Sequence, residues 1–248
     1  MTFEWEDAWQ RGATPWDRGA VAPGLVWWLN EQRAEVPQAQ PRTQTREAPH
    51  SPPAQAQGLA VQRGRALVPG AGHGYDALAL AQAGWDVTAV DIAPTAVAEC
   101  TQRIVAAGLE KQARAVCADF FETPPRQEAL QAPFDLLFDY TFCCALPPAL
   151  RAAWAHTCAQ RIKQGGSLLH LAFPLDRGQR SAATLKALGA KAPGHSPVDP
   201  GDGPPFVLDL QELAGYLAPN FVLETLALDV PSAPSRDGRE ALLLWRRR

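Results

Sequence analysis

Cysteine is sparse in this chain and is patterned for nothing. The five residues, Cys100, Cys117, Cys143, Cys144 and Cys158, are odd in number and show no C-x-x-C spacing. Neither a zinc site nor a disulfide framework is indicated, so no metal and a reducing, cytoplasmic setting are expected. Long apolar runs are also missing. Nothing approaches the ~18 apolar residues of a spanning helix, and Glu4, Glu6 and Asp7 occupy the N-terminal stretch where a secretory signal would be apolar, so neither membrane association nor secretion is expected. Positive charge is not concentrated anywhere: the net charge is −3, no Lys/Arg run flanks the aromatic positions, and Arg246-Arg247-Arg248 is short. A nucleic-acid footprint is therefore lacking. The G-x-x-x-x-G-K-[ST] pattern of a triphosphate loop is absent too.

What is present centres on one stretch. Arg65 to Pro69 is a short apolar run that breaks at Gly70, Gly72 and Gly74 and resumes as an Ala/Leu-rich segment from Tyr75 to Ala81. That pattern reads as strand, tight loop and helix. Glycines let backbone approach a ligand, and the helix that follows offers unpaired N–H groups and a positive dipole end. The dinucleotide fingerprint needs G-x-G-x-x-G/A, but here the third glycine comes one place early and Tyr75 stands in its position. The loop suits a nucleoside with an uncharged linker better than a pyrophosphate. Asp86 to Asp91 reads as a second strand ending in a carboxylate ~20 residues beyond the glycines, where an acid accepts ribose hydroxyls. Arg114 to Ala118 is a third strand, followed by Asp119, an acceptor for an exocyclic amine, and Phe120, a ring able to cover a base.

The set VPGAGHGYD, VDI, ADFF and FDYTF, preceded by WEDAWQRGATPWDRG and followed by GPPF, resembles the class I S-adenosylmethionine-dependent methyltransferases of the thiopurine and halide/thiol methyltransferase group. The resemblance covers nearly the whole chain, and its most specific parts are Thr14-Pro15-Trp16-Asp17 and Phe134 to Phe142. It implies a doubly wound, mostly parallel seven-stranded α/β sheet of Rossmann-like class under an N-terminal aromatic helical lid. It also implies S-adenosyl-L-methionine as methyl donor. Trp5, Trp9 and Trp16 would line the donor pocket, Gly70, Gly72, Asp91, Ile92, Asp119, Phe120, Asp139 and Tyr140 would complete it, and Tyr140 is the candidate catalytic residue, orienting the acceptor. In the thiopurine branch an arginine tends to follow the aspartate that matches Asp139. Here Tyr140 follows, which favours a small thiol or a halide- or thiocyanate-like anion over an aromatic thiopurine. A nicotinamide-dependent reductase and a non-catalytic nucleoside-binding protein are the competing readings.

The 248 residues fit one α/β domain, with a monomer expected. Residues 1–36 form the lid, with Trp5 and Trp9 four apart on one helical face. Residues 37–58, rich in proline and glutamine, read as a disordered insertion, and residues 59–248 as the α/β core. Pro94 and Thr95 open a helix through Ala107, and Pro147-Pro148 opens another through Arg161. Ser167 to Phe173 reads as a buried strand, and Phe221 to Asp229 with Glu240 to Trp245 as a final pair. His73 is expected to face solvent, His170 to be a core histidine, and Phe142, Cys143 and Cys144 to pack at a helix start. Gly189 to Phe206 is expected to cover the acceptor side, with Phe206 as a wall.

Overall fold

The computed structural model describes residues 4–34, 63–131, 133–176, 201 and 203–248. The expected insertion at 37–58 and most of the expected cover lie outside the described residues. Seven strands form one sheet in the order β3-β2-β1-β4-β5-β7-β6. They are β1 (Arg65–Pro69), β2 (Asp86–Asp91), β3 (Ala113–Cys117), β4 (Phe134–Tyr140), β5 (Ile162–Ala172), β6 (Phe221–Ala227) and β7 (Ala241–Arg247). The first five run parallel, and β7 lies antiparallel between β5 and β6. Among the described residues the helices are α1 (Trp5–Gln10), α2 (Pro23–Ala34), α3 (Tyr75–Gln82), α4 (Pro94–Ala106), α5 (Arg151–Arg161) and α6 (Leu210–Leu217). Among the described residues, no helix is long and apolar enough to cross a membrane.

Period-two alternation sorts the strand side chains onto the two faces. Leu67, Leu137, Leu168 and Leu243 pack with Trp154 of α5 and with Leu213 and Leu217 of α6. Their neighbours Ala66, Val68, Leu136, Phe138, Leu169 and Leu242 pack with Leu25, Leu80 and Ile104 of α2, α3 and α4. Ala66, Leu67 and Val68 of the central strand β1 are all buried, as a parallel strand covered on both faces requires. The final pair of strands is antiparallel, with Leu226 opposite Leu243.

The helix expected from Pro147 begins later. Pro148–Leu150 is a 3₁₀ turn closed by the Leu150 N–H on the Pro147 carbonyl at 2.8 Å, and α5 starts at Arg151. Two consecutive prolines fix the first φ angles and remove two donors, so the chain turns once before the regular helix starts. Strand order reverses at β1, whose neighbours β2 and β4 lead to opposite halves of the sheet. Crevices at such reversals, beyond the carboxyl ends of the strands, are where open α/β sheets bind ligands.

Candidate active site

Beyond Pro69 the chain turns through Gly70, Gly72 and Gly74, whose φ angles of 57°, 51° and 80° are open to glycine. At Gly70 there is also no room: a Cβ would fall 2.5 Å from Phe142 Cδ2. Gly72 lies under Trp9, and its N–H donates to Asp91 Oδ2 at 2.9 Å while the Ala93 N–H donates to Asp91 Oδ1 at 3.0 Å. The carboxylate at the end of β2 thus reaches across the glycine loop. Burial pushes its pKa up, and the two N–H groups pull against that. Each oxygen keeps a lone pair for a further donor. Beside it Ile92 is 56% exposed. At the end of β3, Asp119 is exposed and accepts the Phe121 N–H at 2.9 Å.

Above these strand ends sits the lid. Trp5 and Trp9 of α1 meet Trp16 edge-on, with ring centroids 5.3 and 6.3 Å apart, and they close over Ala93 and Ala96 of α4. Polar ties hold the lid down. Ala93 caps α4 without a side-chain bond, and Glu6 supplies the missing acceptor from the lid, taking the Thr95 N–H at 3.0 Å and the Thr95 hydroxyl at 2.7 Å. These bonds hold the Glu6 carboxyl below its ordinary range. Asp76 of α3 accepts the Ala22 N–H at 2.8 Å, and loss of solvent pushes its pKa up to about 6.

Behind the lid, β4 ends on a strained turn: Thr141 has φ 65°, unusual for a β-branched residue. That turn separates Asp139, Tyr140 and Phe142. The Tyr140 hydroxyl donates to Glu240 Oε1 at 2.6 Å and accepts a close hydrogen bond from Arg236 Nη1. Arg236 also donates to the Trp16 carbonyl at 3.1 Å and lies over the rings of Phe173 and Tyr140. Burial, with Glu240 close by, pushes the phenol far above its ordinary range.

The structure sets Gly70, Gly72, Asp91, Ile92, Asp119 and Tyr140 at the carboxyl-end side of the strands, with Trp9 against Gly72 and Trp5 and Trp16 beside it, and corrects three expectations. Asp139 is fully buried. Its oxygens accept the Cys143 N–H at 3.1 Å and the Trp154 indole N–H at 2.8 Å, so it organises the turn from inside and presents nothing to a ligand. Phe120 is 4% exposed, wedged against Phe142 and Phe121 in the core, whereas its neighbour Phe121 is only half-buried. His73 does not face solvent. It stacks edge-on against Trp9 at 4.6 Å between two carboxylates. His170 is a core residue as expected, 1% exposed, and burial lowers its pKa to about 3. Phe206 is half-buried, and its N–H is bound to the Cys144 carbonyl at 2.7 Å, which sets it beside the β4 turn. Arg236 and Glu240 carried no signal in the sequence. They stand four apart, Arg236 at the end of a 3₁₀ turn and Glu240 just before β7, and acquire meaning only from Tyr140.

A carboxylate for hydroxyls, an uncovered aliphatic wall, an exposed acceptor and an aromatic roof suit a nucleoside carrying a sulfonium. The model of the family described as thiopurine S-methyltransferase matches residues 54–179. The probable thiol methyltransferase 2 of Arabidopsis thaliana is 30% identical over 98% of this chain and 84% of its own. The chain belongs to the thiopurine S-methyltransferase family. It is an S-adenosylmethionine-dependent methyltransferase, which sets aside the reductase and the non-catalytic readings. The thiocyanate methyltransferase 1 of the same plant is 26% identical over the same shares. Two solved structures show the fold. One comes from work on converting a disulfide bond into a thioacetal group during echinomycin biosynthesis (TM-score 0.63, 23% identity, 100% of this chain and 92% of that one). The other is an S-adenosylmethionine-dependent methyltransferase from Methanosarcina mazei (TM-score 0.55, 17% identity, 74% and 92%).

Proposed function

We propose that this enzyme methylates a small soft nucleophile, a thiol or a thiocyanate- or halide-like anion, held between the β4 turn and the lid. The observation that carries the reading is the fixed Tyr140 phenol at the β4 turn, its hydroxyl held between Glu240 and the buried Arg236, which also donates to the Trp16 carbonyl of the lid. A phenol held in this way offers the acceptor no base, which suits a nucleophile that needs no deprotonation. The names of the plant relatives, thiol and thiocyanate methyltransferases, point to the same acceptors.

The donor would be held by Asp91 at the ribose, Ile92 and Phe121 beside the base, Asp119 at the base edge, Gly70 and Gly72 beneath, and Trp5, Trp9 and Trp16 above. When bound, S-adenosylmethionine supplies an electrophilic methyl carbon on a sulfonium. What remains for the chain is positioning and exclusion of water. Tyr140 keeps its proton, because burial raises its phenol far above the neutral range, so it orients and does not act as a base. None is needed: thiocyanate and halides carry no proton to remove, and a thiol is a few per cent thiolate at neutral pH. Cys143 and Cys144, next to the acceptor side, are buried, and burial raises both thiols well above their ordinary range. They stay protonated and do not compete for the methyl group.

The test is turnover with S-adenosylmethionine against a panel of iodide, thiocyanate, a simple alkyl thiol and an aromatic thiopurine. Adenosylhomocysteine should form with one or more of the first three, faster than with the thiopurine. Product with none of the four would overturn the proposal.

A further inference from the structure

His73 lies in the glycine loop with each ring nitrogen facing a different carboxylate. Nε2 is 3.2 Å from Asp17 Oδ2 in the lid, and Nδ1 is 2.6 Å from Glu99 Oε2 on α4, close but out of line for a full hydrogen bond. The ring edge rests on Trp9, and Tyr75 stands on its other side. Two other charges stand close by: Asp91, which takes the N–H of the adjacent Gly72, and Arg103 of α4, which donates to the His73 carbonyl at 3.0 Å and covers the Tyr75 ring, so it faces the backbone rather than the imidazole. A neutral imidazole has one N–H and one lone pair. Set between two carboxylates, it satisfies one and turns its lone pair on the other at contact distance. Only the doubly protonated ring matches both. The side chains of His73, Asp17 and Glu99 are 16%, 26% and 40% exposed, so solvent screens the arrangement only in part.

We propose that His73 is a positioning residue: as an imidazolium it clasps the turn carrying Trp16 onto the core, and the clasp slackens when the ring loses its proton. That the clasped turn roofs a donor pocket rests on the function proposed above, whereas the clasp itself does not.

The clasp is read first in the free protein, by hydrogen exchange of residues 5–19 at pH 5.5 and 8.5, corrected for intrinsic exchange. Opening of the lid should rise about threefold or more at the higher pH, as expected for losing a partly buried charge pair. Asp17→Asn is the informative variant. Asp17 Oδ1 accepts the Gly19 N–H that shapes the turn, and asparagine keeps that acceptor while offering its NH₂ to a neutral Nε2. In this variant the pH difference should shrink to less than half, and in His73→Gln exchange should be fast at both values. Equal protection of the wild type at the two pH values, or an undiminished difference in Asp17→Asn, would overturn the clasp. Calorimetry with S-adenosylmethionine then separates the two claims. Donor affinity that weakens with pH in the wild type but not in Asp17→Asn supports both, while pH-sensitive exchange in a protein that binds no donor sustains the clasp and removes the proposed function.

Discussion

Replacing Arg236 by methionine tests whether the Tyr140–Arg236–Glu240 group holds the back of the site by charge or by shape. Methionine keeps an unbranched apolar stem able to fill the space between Phe173 and Tyr140, so the packing loss is small. What disappears is a guanidinium 5% exposed that donates to the Tyr140 hydroxyl and the Trp16 carbonyl and stands 3.9 Å from a carboxylate 1% exposed. At that separation two unit charges interact by about 4 kcal/mol at an effective dielectric of 20, part of which offsets the desolvation of arginine itself. The larger loss is what stays behind: among the described residues Glu240 keeps only the Tyr140 hydroxyl, and its second oxygen has no hydrogen-bond partner. Stranding one member of a buried pair costs about 3–5 kcal/mol. Urea unfolding should therefore show Arg236→Met less stable by about 3 kcal/mol, a fall in midpoint of about 1.5 M for a slope near 2 kcal/mol per M. Adding Glu240→Gln removes the stranded charge. The double variant should then be more stable than the sum of the single losses predicts, by more than about 1 kcal/mol. A loss below about 1 kcal/mol in the single variant, or strict additivity in the double, would refute the electrostatic account.

Two further outcomes follow from local geometry. Gly70→Ala combines left-handed strain of about 1–2 kcal/mol with a Cβ placed 2.5 Å from Phe142, so donor affinity by calorimetry should fall roughly tenfold; Gly108→Ala, at φ 65° in open space, should lose stability without touching affinity. Burial pushes the Asp139 pKa up to about 6, against about 3.9 in the unfolded chain. The folded state therefore binds more protons between those values, and this group's contribution is greatest below pH ~4 and lost as pH rises through ~6. Denaturation of the wild type and Asp139→Asn at pH 4 and 6.5 should show the wild type losing ground relative to the variant at the higher pH, and an unchanged difference would mean that Asp139 does not titrate there.

Three aspartates at three strand ends look alike in sequence, and the fold treats them differently. Asp91 takes two backbone N–H groups, that of Gly72 from the glycine loop before β2 and that of Ala93 just after it. Asp119 takes the Phe121 N–H and stays in solvent. Asp139 is drawn inward because the next helix carries Trp154, whose indole N–H arrives from 15 residues on. A strand end followed by an acid is legible. Whether a later helix brings a buried donor to it is not, because Trp154 reads simply as an apolar residue on a helical face. The same limit hides Arg236 and Glu240, which lie 96 and 100 residues from Tyr140 in the chain. Strands, glycine loop and lid declare themselves through local pattern, since apolar period and turn chemistry act within a few residues. Charge pairing in a dry site acts through space. The chain must first fold to decide which carboxylates meet a ligand and which serve only to hold the walls in place, and here that decision rests on two side chains, Trp154 and Arg236, that no neighbouring residue foretells.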